Sequence, residues 1–97
     1  MSNSTLQAFI DDYIDQRRPR FSALSDPIWD HPETRFNETY SATLLADALE
    51  QEGFSVEHGV GDIETAFIAS YGSGHPVIAL LGEYDALAGL SQQAGRA

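Results

Sequence analysis

Hydrophobic positions change period near Gly53, and that change divides the chain. Upstream, Leu6, Phe9, Ile10, Tyr13 and Ile14 recur at helical spacing, with Asp11, Asp12 and Asp15 on the opposite face. The phase continues through Phe21, Leu24 and Ile28. A helical segment is therefore expected from about Ser4 to Asp30, with Ser4-Thr5-Leu6-Gln7 as a capping box. Pro19 should kink or interrupt it, and Asp26-Pro27 reads as a fresh N-cap and N1 pair. The aromatic and aliphatic stripe reads as core. A second helix is expected from about Glu38 to Glu52, with Asn37 as cap. Its buried stripe would be Tyr40, Leu44, Leu45, Ala48 and Leu49. Gly53 reads as the residue that ends it. Glu50 and Glu52 oppose the dipole at that end, with no local compensation.

Beyond Gly53 the runs are short and rich in β-formers. Phe54–His58 alternates as a strand. Gly59, Gly61 and Asp62 make a loop, and Thr65–Tyr71 is a second strand. Val77-Ile78-Ala79-Leu80-Leu81 is an unbroken apolar run, the pattern of a strand covered on both faces. The short Gly72–His75 link implies an antiparallel hairpin between the last two. The expected fold class is α/β: two N-terminal helical segments followed by a small three-stranded sheet.

At the end of that run stand Glu83, Tyr84 and Asp85. In open α/β sheets, sites gather just beyond the carboxyl ends of strands. Glu83 and Asp85 are two residues apart, so on an extended backbone they share a side. Such a pair suits a divalent metal or the groups around it; it equally suits a polar turn closing a strand. His31, His58 and His75 are unpaired at ligand spacing and read as surface or structural residues. Ser73 between glycines is not a nucleophile elbow. No local arrangement supports a serine hydrolase triad.

The string LLGEYDALAGLSQQAG resembles a segment of the metal-dependent amidohydrolases of peptidase family M-twenty, the aminoacylase and carboxypeptidase G relatives. The resemblance extends to IWDHPETRFNE (Ile28–Glu38) and EGFSVEHGVGDIETAFIASYGSG (Glu52–Gly74), in the family's order, and is strongest to the aminobenzoyl-glutamate hydrolase subgroup. It implies that residues 1–97 are the incomplete N-terminal part of one zinc-peptidase-like catalytic domain. In most members the corresponding segment reads G-H-x-D-x-x-P-G. Its His binds metal and its Asp hydrogen-bonds that His. Asp85 matches this Asp, so the resemblance gives it the role of steadying a metal ligand. Glu83 stands at the His position, which this subgroup and its auxin-conjugate cousins fill with an acidic residue; it is a near-site group. Ala88 replaces the usual proline.

The implied chemistry is hydrolysis of an amide bond in an N-acyl or aroyl amino acid. A divalent metal pair, zinc or manganese, serves the full-length family. No direct metal ligand and no cofactor are expected for this chain alone, which should be inactive by itself. The alternative is a non-catalytic acidic α/β module that binds a protein partner.

Composition narrows the setting. Ninety-seven residues allow one small domain with a modest core, and apolar content of 42% is too high for a disordered chain. There is no cysteine, hence neither disulfides nor a thiolate metal site. No secretory leader is visible, and no apolar run approaches the ~18 residues of a membrane span. The cytoplasm is the expected location. Fifteen acidic residues oppose five basic ones, all arginine, for a net charge of −10. Such a chain repels nucleic acid and anionic membranes. Its acidity fits an ordinary soluble surface or adaptation to high salt, where screening relieves self-repulsion. Expected partners are a small-molecule amide substrate in the full-length family, and either a second copy or the remainder of the catalytic domain.

Overall fold

A computed structural model describes residues 3–90. The order of elements is α1 (Asn3–Asp30), α2 (Thr39–Gln51), β1 (Ser55–His58) and β2 (Phe67–Ser70). The α/β class and the helices-first order agree with the sequence pattern; the number of strands and the course of α1 differ.

α1 runs for 28 residues straight through Pro19 and Pro27. Proline forfeits one N–H bond, but its fixed φ is itself helical. Side chains brace the turns around Pro19: Gln16 donates to Asp12 at 3.0 Å, Arg18 to Asp15 at 2.7 Å, and the Arg17 guanidinium lies 3.5 Å over the Tyr13 ring. The expected break is therefore absent, and Asp26-Pro27 lies within the same helix. Ser4 also lies inside α1, so its N-cap falls outside the described residues. The stripe expected to be core is exposed from Leu6 to Ile14, and no residue of α1 is buried. Its second half meets α2. There Leu24 and Ile28 are half-buried, and Arg20 reaches Gln51 at 3.3 Å and Glu52 at 3.5 Å.

α2 lies across both strands. Its buried positions are Ser41, Ala42, Ala46 and Ala48, with Leu44, Leu45 and Leu49 half-buried and Tyr40 exposed. The core is thus built on small side chains. Gly53 adopts φ 93 and closes the helix: its N–H donates to Glu50 O and that of Phe54 to Leu49 O, both at 3.0 Å. This is a complete Schellman closure, and it needs a left-handed residue at Gly53. The acidic helix end acquires partners from elsewhere, Arg20 at Glu52 and His58 Nε2 3.8 Å from Glu50.

β1 and β2 pair antiparallel in the register Ser55↔Ser70, Val56↔Ala69, Glu57↔Ile68, His58↔Phe67. Val56 and Ala69 are the half-buried pair, while Glu57 and Ile68 are exposed, as period-2 alternation requires. Between the strands, Gly59 and Gly61 take φ 70 and 65, and the N–H of Gly59 returns to Ala66 O at 2.8 Å.

The expected third strand is not formed among the described residues: the sheet has two strands. Val77 to Leu81 joins no ladder, and Val77, Ile78, Leu80 and Leu81 are 80–96% exposed. A strand of this composition is stable only when both faces are covered. The described elements offer one helix on one face of a small sheet, so nothing is available to cover it. The hairpin expected between the last two runs is replaced by the β1–β2 pair. The chain returns instead through a single parallel bridge, Thr34↔Ala86.

Candidate functional site

That bridge seats the segment 82–86 on the connector between the two helices. The Ala86 N–H donates to the Glu33 carbonyl at 2.7 Å. The contact brings this acidic segment beside two further carboxylates, Glu33 and Glu38, which sequence reasoning did not place at a site.

Glu33 is committed to α2. Its Oε2 accepts from Tyr40 N–H at 2.9 Å and from Thr39 Oγ1 at 3.2 Å, and its Oε1 accepts from Ser41 N–H at 2.8 Å. Glu38, rather than Asn37, holds the N-cap position, and it makes no side-chain cap bond. Glu33 thus does from the connector what a local cap does elsewhere: it satisfies the orphan N–H groups of the first turn and places negative charge at the positive end of the dipole. Burial pushes its carboxyl up, but the Ser41 and Tyr40 N–H groups outweigh that, helped by the Thr39 hydroxyl. The net direction is below the ordinary glutamate value of 4.5. The buried Ser41 hydroxyl oxygen itself meets no hydrogen-bond partner.

Glu38 accepts from Phe36 N–H at 2.9 Å and from Thr65 Oγ1 at 3.0 Å, which ties the connector to the loop before β2. Tyr84 is half-buried nearby. Burial raises its phenol, and the charges of Glu38 and Glu33 raise it further. Tyr84 is therefore a neutral hydroxyl, able to donate a hydrogen bond, held among carboxylates.

Glu83 and Asp85 are both exposed, and both line a groove of about 530 Å³ with Arg35, Glu38 and Thr65. Gly82 and Tyr84 line the same groove, so it takes in the whole turn rather than one side of it. Asp85 and Tyr84 also border a neighbouring groove of about 700 Å³ walled by Ile28, Trp29 and Leu87. The histidines are elsewhere. His31 stacks on the Tyr40 ring at 4.2 Å with Nδ1 2.9 Å from Pro27 O, and His58 faces Glu50. Among the described residues no three His, Cys, Asp or Glu side chains converge to hold a metal ion. The site is an acidic rim with one arginine and one neutral phenol. It can accept hydrogen bonds, steady a neighbouring donor, or border a cation held by other groups. Glu33 carries no spacing signal that could have revealed it, since it lies six residues before Thr39 rather than at a capping-box offset.

No helix among the described residues is long and apolar enough to cross a membrane. No family model matches the chain. It is 67% identical over 87 residues to a subunit of the p-aminobenzoyl-glutamate hydrolase of Escherichia coli (strain K12). The match takes in 90% of this chain and 18% of that protein, so the chain spans less than a fifth of the curated relative's length. Identity at this level, over nearly all of the chain, relates these residues to that hydrolase subunit and supports the relation to the amidohydrolases they resemble.

Proposed function

We propose that this chain provides the amino-terminal part of a metal-dependent amidohydrolase that cleaves the amide bond of an aroyl- or acyl-glutamate. The identity to a p-aminobenzoyl-glutamate hydrolase subunit carries the reading. It favours this over a stand-alone acidic binding module. The relative is named as a subunit, which supports association with a further chain.

The described residues do not fit a metal pair on their own. Glu83 and Asp85 border one groove with Glu38, and no third ligand type joins them. A dinuclear site needs two ions about 3.5–4 Å apart, held in fixed geometry. The metals, when bound, supply an activated water, and their ligands and the general base come from groups outside these residues. This chain contributes the scaffold and a rim. Asp85 would accept a hydrogen bond from a metal-binding side chain and fix its orientation. Glu83 would lie beside it, and Tyr84 would offer a neutral donor to a substrate carbonyl or carboxylate.

The test is a chimera in which the matching segment of the E. coli protein is replaced by these residues. It should retain hydrolysis of p-aminobenzoyl-glutamate, and Asp85→Ala should lower that activity or metal affinity by roughly 10–100-fold. A folded chimera without activity, or one indifferent to Asp85→Ala, rejects the assignment. Alone, the 97-residue chain should show no turnover, and micromolar zinc binding lost in Asp85→Ala would contradict the proposed division of labour.

A further inference from the structure

We infer that Glu33 is the positioning residue for the segment 82–86, joining the cap of α2 and the seat of that segment through one residue. The two halves of Glu33 act on different parts of the fold. Its carboxylate takes three hydrogen bonds from the first turn of α2, at 2.8–3.2 Å. Its backbone carbonyl takes the Ala86 N–H at 2.7 Å. Fixing the side chain on the helix restricts the direction of that carbonyl, because only the side-chain torsions and ψ, each confined to a few wells, separate them.

Neither half has a substitute. Glu38 makes no cap bond, so among the described residues Glu33 is the side chain that holds the start of α2. From Tyr71 to Leu90 the chain is in no helix or sheet ladder, and Ala86 N–H to Glu33 is the backbone hydrogen bond that ties this segment to the rest. The flanking bridge Thr34↔Ala86 belongs to the same contact. Side chains add to this seat: Tyr84 lies half-buried near both glutamates, and it borders a groove with Ile28 and Trp29. Asp85 is one residue from the anchored amide, so its position depends on a glutamate more than fifty residues upstream. The inference rests on bond geometry and not on the hydrolase reading; under that reading, Glu33 acts on the reaction only through Asp85.

Amide hydrogen exchange in the 97-residue chain, followed by NMR at Tyr40, Ser41 and Ala86, tests the coupling without substrate or metal. Glu33→Ala should speed exchange at Ser41 and at Ala86 together, by roughly fivefold or more, the scale of a lost helix cap. Ala48→Gly is the control: it weakens α2 at the end far from Glu33, and should speed exchange there while leaving Ser41 and Ala86 much less affected. Because coupling is reciprocal, Ala86→Pro, which removes the donor, should speed exchange at Ser41. If Glu33→Ala does not fold, Glu33→Gln, which keeps the shape and one acceptor oxygen, should still accelerate Ser41 and Ala86 by a common factor. The inference is overturned if Ala86 exchange stays unchanged while Ser41 accelerates in a Glu33 variant. It is overturned equally if Ala48→Gly moves Ala86 as far as Glu33→Ala does.

Discussion

Leu80 and Leu81 are 96% and 91% exposed in a segment that no other described element covers. Replacing both with glutamine should leave the folded monomer almost unchanged, since neither side chain has packing to lose. Its effect should fall on association. Fully burying a leucine side chain is worth about 1.5–3 kcal/mol, so an encounter that covers both gains roughly 3–6 kcal/mol from them. Association itself costs about 4–15 kcal/mol in lost freedom, so these two residues supply a large share of what weak association requires. Losing even a quarter of the larger figure, about 1.5 kcal/mol, weakens association by slightly more than tenfold. The net charge of −10 opposes self-association, and salt with a Debye length of about 10 Å at 0.1 M screens that repulsion. Sedimentation velocity across a salt series, with an apolar-surface dye as second probe, should show the unmodified chain associating and binding dye. Association should increase with salt. The double variant should remain monomeric and bind less dye at every salt concentration. A monomeric unmodified chain throughout, without dye binding, would refute the reasoning, as would a double variant that associates equally.

Three further outcomes follow from the connector and the helix end. The Glu33 carboxyl titrates below its unfolded value, so its stabilisation is complete above the ordinary glutamate value of 4.5 and is lost as pH falls through the lower folded value. Helical circular dichroism should drop in that acid window, and Glu33→Gln should flatten this component while Glu38 and the other carboxylates still titrate. The Tyr84 phenol is raised, so the folded state disfavours its ionisation and stability should fall as pH rises above about 10. Near-ultraviolet absorbance of phenolate should show one late tyrosine that Tyr84→Phe removes, and Glu38→Gln should bring that late ionisation to lower pH. Gly53→Ala would force a side chain onto φ 93, where the added Cβ lies at ordinary contact distance, 3.6 Å, from Tyr71. The cost should therefore be conformational, about 1–2 kcal/mol, read as a lower midpoint in urea; an unchanged midpoint would mean the Schellman closure does not hold the helix end.

The local elements were legible in the sequence because their causes are local. Helical spacing placed α2 within a residue of its observed ends, Gly53 marked its stop, and the β-rich runs around Val56 and Ala69 marked the two paired strands. Pro19 misled because a proline within a helix removes one bond but not the helical φ, and the surrounding turns carry the backbone through. The stripe on α1 and the run from Val77 to Leu81 misled for a different reason: apolar periodicity states what a segment needs, and only tertiary packing decides whether the rest of the chain supplies it. Distant partners were equally invisible. Glu52 is met by Arg20, which offsets part of a dipole conflict with no local answer, and His58 lies beside Glu50. The cap of α2 comes from Glu33, six residues before Thr39, and the segment carrying Asp85 is seated by that same residue's carbonyl. Hydrogen bonds across such separations depend on how the connector lies against that segment, and one-dimensional spacing does not encode that.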